Sequence, residues 1–215
     1  MTDLFIQEID EAVRKDQYEK LWHKYGRGVL LGCGIFVLGI GGYSWWHDQQ
    51  TTKLEAATAQ LAGVLQSLAP GKETEVGTAL VATATTAPAG IAMLERFYAA
   101  SLAANAGNTE AALTQLTAIE NDNSAGTLYR DLARLLAVQA QLDTGDITAL
   151  KAQLQPLAAE GAPWRFSARE MQAMLDLRAN DIAAAKATLN ALTTDPDVPA
   201  SLKSRAGQIL ATLAG

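Results

Sequence analysis

Apolar positions follow three different rhythms along this chain. Near the start, Leu4, Phe5, Ile6, Ile9 and Val13 recur at helical spacing among acids and lysines, which predicts a short amphipathic helix. From Val29 to Trp46 the sequence VLLGCGIFVLGIGGYSWW carries no charge, with charged or polar residues on both sides. From Thr51 the helical rhythm returns: Leu54, Leu61, Leu65 and Leu68 form one stripe, stopped by Pro70-Gly71. A second helix is expected over about Glu73 to Ala84. Thr85-Thr86-Ala87-Pro88 breaks it, and another starts near Ala89.

The remainder repeats. The turn pairs Gly107-Asn108, Gly145-Asp146 and Asn180-Asp181 are 38 and 35 residues apart. Aligned on Asn108, Asp146 and Asp181, each has an alanine three residues on (Ala111, Ala149, Ala184). Each has a leucine eight on (Leu116, Leu154, Leu189) and an aliphatic eleven on (Ile119, Leu157, Leu192). These offsets are read as one packing face of a helix. Twelve residues before, each has an arginine: Arg96, Arg134 and Arg169. Each unit therefore reads as a helix, a tight turn that caps the next helix, and an antiparallel partner. The period is close to the ~34 residues of tetratricopeptide repeats. A final helix over about Ala200 to Leu213 is expected to cap the stack. One helix pair cannot bury both its sides, so stacked pairs are expected to form a layer whose concave face binds a protein segment.

A bilayer core of ~30 Å needs about 20 apolar residues at ~1.5 Å rise each, and the charge-free stretch with its glycine-rich lead-in from Gly26 has that length. A cleaved signal peptide fits poorly. Its basic start is short, whereas 28 residues with six acids precede Val29, and Trp45-Trp46 offers no small-residue cleavage site. Leu30-Leu31-Gly32-Cys33 looks like a lipobox, but the apolar run follows Cys33 instead of preceding it. The stretch reads as a retained transmembrane helix. Arg14, Lys15, Lys20, Lys24 and Arg27 precede it and only Lys53 follows closely, which puts the N-terminus in the cytoplasm. Tyr43, Trp45 and Trp46 are expected at the far interface. Gly28 and Gly32 form a GxxxG pair, with Gly39 seven further on, a spacing that lets another helix approach.

The expected organisation is a cytoplasmic amphipathic segment over 1–28, the span over 29–46, a linker helix with the first helical pair over 47–90, and repeats with a capping helix over 91–215. The fold class is all-α: tetratricopeptide-like helical hairpins, an α-solenoid, behind a single N-terminal transmembrane helix. Composition narrows the chemistry. From Trp46 on there are 12 Lys and Arg against 17 Asp and Glu, so the outer part is acidic and a poor partner for nucleic acid. Cys33 is the single cysteine, and His23 and His47 flank the span on opposite sides. Neither an intramolecular disulfide, a thiol or paired-histidine metal site, nor a conventional catalytic triad can be assembled from them. No GxSxG, HExxH, P-loop or CxxC motif occurs, so neither enzymatic activity nor a cofactor is expected.

Protein contacts remain as the candidate chemistry. The Arg96, Arg134, Arg169 ladder could clamp carboxylates or main-chain carbonyls of a client, or simply pair with nearby acids. Trp164 and Phe166, after Gly161-Ala162-Pro163, could anchor a partner or wedge between units. Tyr98 and Tyr129 carry the same two readings.

Anchor, SLAPGKE break, and the segments YRDLARLLAVQAQLDTGD and GAPWRFSAREMQAMLDLRAND occur here in the order seen in the bacterial YfgM-type family, which nearly the whole chain resembles. The resemblance implies an inner-membrane protein with a periplasmic helical-repeat domain. As partners it implies the SecYEG translocon, periplasmic chaperones and the exported proteins passed between them. A membrane-anchored scaffold or regulator of another envelope assembly is the alternative from the same architecture.

Overall fold

The computed structural model describes residue 49 and residues 51–213. The amphipathic N-terminal segment, the apolar stretch 29–46 and the glycines Gly28, Gly32 and Gly39 lie outside the described residues. The chain divides into two units, Met1–Glu55 and Ala56–Gly215. Of the first, residues 49 and 51–55 are described, and they are helical.

The described residues of the second unit form helices and turns, without a strand. Helix α1 covers 56–66. It is followed by α2 (Glu73–Ala84), α3 (Ala89–Asn105), α4 (Thr109–Glu120), α5 (Thr127–Ala140), α6 (Ile147–Leu154), α7 (Arg165–Arg178), α8 (Ile182–Thr194) and α9 (Ala200–Thr212). The helix expected over Glu73 to Ala84, the start at Ala89 and the closing helix are all present. No helix among the described residues is long and apolar enough to cross a membrane.

The turns show why the helices begin where they do. A helix start leaves backbone N–H groups without partners, and a short polar side chain can accept from one of them. The Ala111 N–H donates to Asn108 Oδ1 at 3.0 Å, that of Ala149 to Asp146 at 2.8 Å, and that of Ala184 to Asp181 at 3.0 Å. The residue before each cap closes the preceding helix. Gly107 and Asn180 do so in the left-handed region, at φ 75° and 61°. Gly145 does not. A Cβ there would lie 3.0 Å from both the Gln141 carbonyl and Leu150 Cδ1, so close packing calls for glycine at that turn.

Packing runs from neighbour to neighbour through four cores. Leu61, Val76, Leu80 and Ala99 join α1, α2 and α3. Ala100, Leu116, Ile119, Ala133 and Ala137 join α3, α4 and α5. Leu135, Val138, Leu150, Leu154 and Leu175 join α5, α6 and α7. Ala173, Leu189, Leu192, Leu202 and Ala206 join α7, α8 and α9. Helices α3, α5 and α7 thus each serve two cores. In α5, small Ala133 and Ala137 face one way while Leu135 and Val138 face the other. The abundance of alanine follows from this, since a helix flanked on two sides needs small residues where backbones approach.

Two expectations about faces are corrected. The packing face of the second helix in each pair runs through offsets four and eight, and in α4 and α8 through eleven: Ala112, Leu150 and Ala185 are buried, along with the predicted leucines and aliphatics, of which Leu157 packs from the turn after α6. The alanines at offset three are only half-buried or exposed, and their shared role is the capped N–H. Offsets four, eight and eleven are the i, i+4, i+7 positions of a helix, which share one face. In the first stripe, Leu61 is buried, but Leu54 and Leu68 are each 43% exposed.

Candidate protein-binding surface

A cleft of about 390 Å³ opens between α3 and α5, with α4 as its floor. Phe97, Ser101 and Asn105 of α3, Leu116 of α4, and Leu136 and Gln139 of α5 are among its lining, and no titratable side chain is. Small residues make the space. Ala112 of α4 lines it, whereas the equivalent position in α6 is Leu150, buried in the next core. A second cleft, of about 230 Å³, lies between α2 and α4 over α3, with Thr74, Gly77 and Val81 on one side and Gln115 on the other. Gln115 Oε1 is buried there without a hydrogen-bond partner.

The arginine ladder lies apart from the residues that line these clefts. Arg134 Nε donates to Glu120 Oε1 at 2.9 Å, at the end of α4. Arg169 Nε donates to the Ala158 carbonyl at 3.2 Å, just beyond α6. Both are half-buried and tie a helix to the end of the one before it. Arg96, also half-buried, bears on Asp122 after α4. The Asp122 carboxyl is held below its ordinary value, chiefly by hydrogen bonds from the Ser124 hydroxyl and N–H, with the Arg96 charge adding to them. Of the acids close in sequence, Glu170 is engaged by Arg205, which reaches across from α9.

The aromatic residues divide. Trp164 is half-buried against the core of α5, α6 and α7, and its indole N–H donates to the Leu128 carbonyl at 3.1 Å. Phe166 packs against the last core under the Arg165 guanidinium, 4.1 Å from its ring centre. Tyr98 and Tyr129 are 47% and 44% exposed.

Other features escaped the sequence reading. Ile91, Tyr129 and Trp164 all fall seventeen residues before a cap residue, a register visible in the same alignment. Thirteen before, Ala133 and Ala168 are fully buried, but the first unit has Glu95, 1% exposed, with Oε2 unpartnered. Polar clips also link successive pairs. Arg178 donates to the carbonyls of Leu142, at 2.6 Å, and Gly145. Lys151 pairs with Asp176, and Arg205 forks onto Glu170. No spacing rule joins residues 25 to 36 apart, so only the packed helices reveal these pairs.

Residues 19–125 match the family model described as a tetratricopeptide repeat-like domain. No curated protein and no solved structure matches the chain. The match reaches through α4, and the pairs α5/α6 and α7/α8 continue with the same caps and the same buried positions. Residues 19–125 are thus similar to a tetratricopeptide repeat-like domain, and the helical architecture described above is of the same kind.

Proposed function

We propose that this protein is a bacterial inner-membrane-anchored, periplasmic protein-binding module that associates with the SecYEG translocon and passes exported proteins to periplasmic chaperones. The helical-repeat domain supports the coarser part of this, a protein-binding role. The observation that carries it is the chemistry of the α3–α5 cleft. An alanine- and leucine-lined floor can take apolar side chains, while Ser101, Asn105 and Gln139 offer neutral hydrogen-bonding groups to a peptide backbone. A site without charge selects for extended, uncharged polypeptide and not for one charged motif, as a client-handling role requires. The uncharged stretch 29–46 and the five basic residues before it support the anchor and its orientation.

Photocrosslinking tests the proposal. With a photoreactive residue at Ser101 or Gln139, and another at Phe36 within the apolar stretch, crosslinks to nascent exported chains and to translocon subunits are expected. Crosslinks to one fixed envelope complex would replace this reading with that of a scaffold.

A further inference from the structure

We propose that the cleft between α2 and α4 receives a lysine side chain of a partner polypeptide. This rests on the protein-binding reading above and not on the anchor.

The two clefts lie on different faces of the α3/α4 pair. On α3 and just past its end, Ala99, Ala103 and Ala106 line this cleft, while Ala100 and Ala104 line the one toward α5. On α4, Ala111 and Gln115 are divided from Ala112 and Leu116 in the same way. Neighbouring helices run antiparallel across short turns, so α2 and α4 begin, and α3 ends, at one edge. The cleft is therefore a trough with a direction. Its alanine floor extends ~10 Å along α3, and Gly77 and Val81 continue the apolar surface up the α2 wall. At the edge the trough reaches half-buried Glu73, the first residue of α2.

Glu73 is the one charged residue in this lining. Among the described residues no lysine or arginine pairs with it, and adjacent Lys72 lies 4.0 Å from Glu75 instead. An apolar strip that ends in a carboxylate complements a side chain with a hydrocarbon stem and a cationic tip. Glu73 Oε1 already accepts the Gly71 N–H at 3.2 Å, which leaves Oε2. One free oxygen suits the point charge of an ammonium better than the two-pronged guanidinium of arginine. Gln115 Oε1, in the α4 wall, is an acceptor without a donor, and a turn of its side chain would bring it to one of the ammonium's remaining N–H groups.

The test uses the full-length protein in detergent micelles, with protein-free micelles as the blank. Two end-blocked, fluorescein-labelled peptides of alanine and serine differ at one central position, which is lysine or norleucine. Fluorescence anisotropy at low salt should show the lysine peptide bound about fivefold more tightly. Glu73→Gln should remove that preference and leave the norleucine peptide unaffected, with helicity unchanged. Gly77→Leu, which fills the trough, should remove it too. Glu110→Gln takes an equal charge from the start of α4 but lines neither cleft, and should keep it. A preference that survives Glu73→Gln, or that is lost equally in Glu110→Gln, overturns the proposal. Equal binding of the two peptides overturns this site and leaves the protein-binding reading standing. Failure of both to bind a protein of native helicity overturns the two together.

Discussion

Arg205 on α9 forks onto Glu170 on α7, with Nε 2.9 Å from Oε1 and an Nη 2.6 Å from Oε2. Glu170 is only 5% exposed, so this fork is what allows a carboxylate to stand inside the last core. The same contact raises the Arg205 guanidinium above its ordinary value, first through the hydrogen bonds and then through the charge of Glu170. Replacing Arg205 with alanine leaves a buried acceptor unpaired, which costs about 1–3 kcal/mol. Denaturant unfolding of the full-length protein should show a loss of that size for Arg205→Ala, and a smaller one when Glu170→Leu is added.

Leu154 is fully buried where α5, α6 and α7 meet. Leu154→Ala should cost roughly 2–5 kcal/mol through lost contacts and the cavity left behind. Leu154→Asp puts an unpaired charge in the same place and should abolish cooperative melting of the array, read by circular dichroism. A full native signal with unchanged melting in the aspartate variant would rule out the stacked arrangement.

The caps give a graded test. Asn108→Ala, Asp146→Ala and Asp181→Ala should each lower stability by about 0.5–2 kcal/mol. Gly145→Ala should be destabilising because of the neighbours its Cβ would strike. Asn180→Gly should be neutral or stabilising, since Asn180 holds φ 61° and glycine adopts that conformation freely. Thermal midpoints of the five variants, measured together, check the order.

Glu95 occupies a site that two other helix pairs fill with buried alanine. A buried oxygen without a partner costs roughly 1–3 kcal/mol in proteins. Glu95→Leu should therefore raise the melting temperature. A fall would show that the carboxylate meets a stabilising partner in solution.

Asp122 sets a pH dependence. Its folded value lies below the ordinary 3.8, so it contributes stability at pH above 3.8 that is lost as pH falls through the folded value. The stability difference between the unaltered protein and Asp122→Asn should be constant near pH 7 and shrink below 3.8. Unfolding curves from pH 7 down to acid denaturation measure it.

Much of the fold was legible because helix starts and core positions obey local rules. The caps Asn108, Asp146 and Asp181 announce their helices in sequence, and Leu116, Leu154 and Leu189 recur in step with them. The face was misjudged at offset three because a capping alanine and a packing alanine look alike in composition. The candidate site was much less legible. Arg134 and Arg169 share a register, which is compatible with clamping a client or with pairing nearby acids, and each meets the end of the preceding helix, Arg134 on the acid Glu120 and Arg169 on a main-chain carbonyl. The α3–α5 cleft depends on what is missing at Ala112 compared with Leu150, and an absence of bulk leaves little periodic signal.

Cores shared between consecutive pairs have a consequence for biogenesis. Each core closes as soon as the first helix of the next pair is available, without waiting for the distant C-terminal end. A chain delivered from its N-terminus can therefore consolidate in instalments of some 35 residues, each using mostly nearby contacts, which form quickly. If the array does emerge through a membrane, little unfinished surface would be exposed at any moment of its own passage.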